Sequence, residues 1–209
     1  MVWVTLLMVL AGAFVAAKFF SLTNKKGRLK YLGLTVASVL FTIMHLALFI
    51  DNLSSGSEVT TAAEFIFEWG HITSLAFILS SLAIFIRESK PVFAQFPMVY
   101  TALPLLIIIS YLLVQDTYAL KTWLLAIYQG GAILVGLLMY SVYTYRRSEY
   151  RLILGGVILF LISYILFWHV PLISESYAWT WKIMIIIAMV VSIYGYEDTE
   201  QQIPATETV

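Results

Sequence analysis

Residues 31–52 read YLGLTVASVLFTIMHLALFIDN. From Tyr31 to Ile50 the chain carries no charged side chain. At about 1.5 Å per helical residue, that stretch crosses the roughly 30 Å hydrocarbon core of a bilayer. Its polar residues are not scattered. Thr35, Ser38, Thr42, His45 and Asn52 recur at helical spacing, so they form one stripe on an apolar helix, a stripe expected to face other helices rather than lipid.

Six further stretches read the same way: Val2–Phe20, Ala63–Ile86, Val92–Val114, Leu120–Tyr143, Leu152–Leu172 and Ala178–Tyr194. The expected fold class is therefore an all-α integral membrane protein, a bundle of seven transmembrane helices occupying residues 1–194 as a single domain. Residues 195–209, acidic and poor in apolar side chains, read as a flexible cytoplasmic tail. The composition agrees: of 209 residues, 61% are apolar and 11% charged, against about 25% charged in a soluble domain. Twelve basic and twelve acidic residues leave no excess to neutralise phosphates, which excludes a nucleic-acid partner. The absence of cysteine excludes disulfides, thiolate metal sites and cysteine nucleophiles.

Orientation follows from the basic residues. Lys18, Lys25, Lys26, Arg28, Lys30, Arg87, Lys90, Arg146, Arg147 and Arg151 fall on one side of the seven spans, and only Lys121 and Lys182 on the other. Positive loops stay in the cytoplasm, so the N-terminus is expected outside and the C-terminus inside. All six tryptophans, Trp3, Trp69, Trp123, Trp168, Trp179 and Trp181, then lie at the outer interface. The reading is a multi-pass protein of a prokaryotic cytoplasmic membrane, with the lipid bilayer as its first partner.

Polar groups inside a span are costly and mark candidate sites. His45 lies roughly 7 Å, His71 roughly 10–12 Å and His169 roughly 5 Å below the outer helix ends, by the helical rise. Three spans thus contribute a histidine to one outer layer. Glu68 and His71 stand at i and i+3, on a face shared with Glu64, Ser74 and Ser81. The fifth span adds Thr122, Gln129, Gly136 and Tyr140, and Gly130 and Gly131 beside Gln129 are expected to permit close helix approach. His169 has an apolar face below it, formed by Leu166, Ile165 and Ile162.

Imidazole is the common protein ligand of haem iron, zinc and copper, and its second nitrogen is usually held by a carboxylate or carbonyl. The pattern therefore suggests His45 and His71 as ligands of a b-type haem in the outer third, oriented by Glu68 and Gln129. Such a site would serve electron transfer or redox or gas sensing, within a larger complex or with an extracytoplasmic redox partner. With His169 as a third ligand the set becomes a zinc or copper site. An intramembrane zinc hydrolase with Glu68 as general base is one alternative. The other is a non-catalytic scaffold or small-ligand sensor subunit whose histidines only join helices. A retinal Schiff base is excluded, because the last span carries only Lys182, at its outer end. The midplane layer, near Leu10, Leu40, Phe77, Ile107, Val135, Phe160 and Ile187, is apolar and argues against ion transport.

Overall fold

The computed structural model describes residues 2–26, 29–54, 57–89, 97–114, 118–173 and 177–202. Among them are seven α-helices, no strand, and one 3-10 turn at Ser148–Tyr150. The helices are α1 (Val2–Lys26), α2 (Leu29–Leu53), α3 (Ser57–Ser89), α4 (Pro97–Leu113), α5 (Tyr118–Arg146), α6 (Arg151–Ile173) and α7 (Trp179–Gln202). All but α4 are long and apolar enough to cross a membrane. The fourth expected span, Val92–Val114, lies partly outside the described residues. Its described helix of 17 residues contains Pro104, which cannot donate a backbone hydrogen bond. At about 26 Å it is shorter than a hydrocarbon core.

The chain divides within α5 into two units, residues 1–132 and 133–209. In the first, α2 runs along both α1 and α3, and α3 also meets α4. Small residues allow these approaches: a Cβ at Gly12 would strike the Thr42 hydroxyl, and one at Gly33 the Ser81 hydroxyl. Ile72, Ala76, Ile107 and Tyr111 form a buried core between α3 and α4, with Leu125 and Tyr128 of α5 against it.

In the second unit α6 and α7 run side by side, and the 3-10 turn rests on both. A Cβ at Gly195 would lie 2.7 Å from the Ile153 backbone nitrogen, so these helices are in backbone contact there. This overrides the expected helix end at Tyr194. α7 continues to Gln202, with Gly195, Tyr196, Thr199 and Glu200 buried. Thr199 bonds back to the Gly195 carbonyl and across to that of Glu149. Composition alone suggested a loose end from residue 195. Packing against α6 and the turn holds its first two turns in the helix, while residues 203–209 lie outside the described residues.

Candidate functional site

The polar residues of the α2 stripe bond back along their own helix, and Thr35 also lies 3.5 Å from the Thr23 hydroxyl of α1. Thr35 donates to the Tyr31 carbonyl, Ser38 to Leu34, Thr42 to Ser38, His45 Nδ1 to Phe41 and Asn52 to Leu48, each one turn back along the same helix. Bonds of this kind satisfy a buried polar group without a partner helix. Spacing alone cannot distinguish such a stripe from one that lines a site. His45 is buried, with its ring on Phe41 at 4.1 Å between centroids and edge-on to Phe67 at 5.9 Å.

The bonds that cross between helices centre on α3, α4 and α5. Glu68 Oε1 accepts from the Tyr111 hydroxyl at 2.7 Å and from Lys121 Nζ at 2.5 Å. The Lys121 ammonium also lies 5.4 Å from the Tyr111 ring centroid, a cation–π contact, and Trp69 meets that ring edge-on at 5.7 Å. One turn along α3, His71 Nε2 lies 2.8 Å from Gln129 Nε2. An amide nitrogen can only donate, so His71 Nε2 accepts there. Ser110 and Tyr128 join α4 to α5 through their hydroxyls at 2.5 Å. Lys121, Leu125, Tyr128 and Gln129 share one face of α5 at i, i+4, i+7 and i+8, so this face supplies all three contacts.

The structure thus brings His71, Glu68 and Gln129 together in one network. His45 stands beside them, with the Phe67 ring edge-on to both imidazoles, at 5.9 Å from His45 and 5.7 Å from His71. His169 lies in the second unit, exposed, with Nδ1 donating to the Ile165 carbonyl of its own helix. Glu64 is exposed as well. Among the described residues no three His, Asp or Glu side chains gather as a metal-binding group. A haem needs only two histidines, yet its ligation by His71 Nε2 would require the loss of the Gln129 bond. Among the described residues no close approach is seen at Gly131, where a Cβ would meet nothing within 4 Å.

Two members of the network, Lys121 and Tyr111, carry little signal in the sequence. A cation in the first turn of a helix opposes the helix dipole, and that is the available sign that Lys121 has an acidic partner. Tyr111, beside Ser110 in an otherwise aliphatic run, is the other. A second cluster, in the other unit, also went unread. Tyr140 and Tyr196 bond through their hydroxyls at 2.6 Å, and the Tyr140 ring contacts Tyr143 and Tyr150. Comparison with protein-family models, with characterised proteins and with solved structures finds no match.

Proposed function

We propose that this chain is a non-catalytic scaffold or small-ligand sensor subunit of a membrane, with its site in the outer third of the first unit around Glu68 and Lys121. One observation carries the reading: Glu68 Oε1 and His71 Nε2 each bond to a neighbouring helix, so these side chains join helices. Glu68, which would have to act as base in a hydrolase, is held by Lys121 and Tyr111, and His71 Nε2 by Gln129. Membrane residence is supported by six long apolar helices, and an external N-terminus by the ten-to-two division of basic residues. In a low-dielectric surrounding an ion pair with hydrogen-bonded partners joins helices specifically, and a ligand that redistributes those bonds can move one helix against another.

The test is a visible absorption spectrum of detergent-purified protein, oxidised and dithionite-reduced, with elemental analysis of the same sample, after expression with haem and metals supplied. The expected result is folded protein with neither a Soret band nor stoichiometric metal. A Soret band that sharpens on reduction and disappears in His45→Ala or His71→Ala overturns the proposal in favour of the haem. Stoichiometric zinc lost in those variants overturns it in favour of the metal site.

A further inference from the structure

The Glu68–Lys121 pair has bonding capacity left on both partners. Both hydrogen bonds to Glu68 fall on Oε1, and Oε2 accepts none among the described residues. Lys121 has three N–H groups and spends one on Glu68; among the described residues neither of the others bonds to oxygen or nitrogen. The side chains are 36% and 19% exposed respectively, so both are reachable. An unused anionic acceptor therefore stands beside unused cationic donors, and the pair as a whole is neutral.

Resting on the sensor reading, we propose that this pair binds a zwitterion, its ammonium donating to Glu68 Oε2 and its phosphate or carboxylate accepting from Lys121. A ligand of one sign would leave a net charge beside the Tyr111 and Trp69 rings, where desolvation is costly. A ligand carrying both signs keeps the site neutral and satisfies both partners. The ammonium must carry N–H, because Oε2 needs a donor; a trimethylammonium group has none. This chemistry is present in an ethanolamine phospholipid headgroup and in a free amino acid or glycerophosphoethanolamine.

The experiment measures thermal unfolding by tryptophan fluorescence in nanodiscs of phosphatidylcholine alone, or mixed with phosphatidylethanolamine or phosphatidylglycerol. Phosphatidylethanolamine should raise Tm by a few degrees over the other two. That rise should vanish in the double variant Glu68→Gln/Lys121→Gln, which removes both charges and leaves neither unpaired. Should that variant not fold, Glu68→Asp, which withdraws Oε2 by one methylene, takes its place with the same expectation. Glycerophosphoethanolamine added to phosphatidylcholine nanodiscs separates the sources. A matching rise assigns the site to a free zwitterion, and a rise with the lipid alone assigns it to the headgroup. Equal Tm in all three lipids with no response to glycerophosphoethanolamine overturns the inference, as does a phosphatidylethanolamine effect that persists in the variants. Absorption and metal content of the same preparations keep the two proposals apart. Colour or metal overturns the sensor reading, whereas colourless, metal-free protein without headgroup selectivity overturns only the zwitterion site.

Discussion

Lys121→Met removes the cation that joins α5 to α3 and leaves the Glu68 carboxylate with the Tyr111 hydroxyl as its hydrogen-bond donor. Two unit charges about 4 Å apart interact by roughly 4 kcal/mol at an effective dielectric of about 20. The pair is partly exposed, at 19% and 36%, so solvent screening and the entropy of holding a lysine in place remove much of this. Cross-helix hydrogen bonds in membranes contribute about 0.6 kcal/mol on average and up to about 1.7. A coupling of about 1–2 kcal/mol between Glu68 and Lys121 is therefore expected, above a rim pair and below a fully buried one. The assay is a double-mutant cycle of Lys121→Met and Glu68→Gln, read from reversible unfolding in mixed micelles. The singles should each destabilise, and the double should cost less than their sum by the coupling energy. A coupling below about 0.3 kcal/mol, the scatter of independent sites, would show that α5 is not held by this pair and refute the site as described.

Four further outcomes follow from the packing. His71→Leu and Gln129→Leu should couple by about 0.6 kcal/mol in a similar cycle, and additivity would mean that their hydrogen bond contributes nothing. Gly156→Ala places a Cβ against the Ser192 hydroxyl and 3.1 Å from its Cα, and should cost about 1–3 kcal/mol in a thermal melt. Gly131→Ala meets open space and should stabilise by up to about 1 kcal/mol through helix propensity, so destabilisation there would contradict the described surroundings of α5. Tyr196→Phe deletes the buried hydroxyl pair with Tyr140 and should cost about 0.5–1.5 kcal/mol.

Hydropathy determined most of the architecture. An uncharged run such as Tyr31–Ile50 can satisfy its backbone in lipid only as a helix, and six of the seven expected spans are helices of spanning length. The i, i+3 pair Glu68–His71 and the stripe position of Gln129 were also legible, because one helix fixes which of its residues are neighbours. Partnership was not. Periodicity places Thr35, Ser38, Thr42 and His45 on one face, but whether their donors cross to another helix or turn back to the carbonyl one turn earlier depends on what packs opposite. Here each turns back to the carbonyl one turn earlier, while Thr35 also lies 3.5 Å from the Thr23 hydroxyl of α1. The same limit ended the last helix at Tyr194. Glu68 and Lys121 are 53 residues apart in the chain and meet only because α3 and α5 are brought side chain to side chain. Gly195 stays helical because its missing Cβ lets α7 lie against the backbone of α6. Local sequence determines which segments are helices and which faces are polar; the spatial neighbours of those faces, and hence the chemistry of the site, arise from tertiary packing alone.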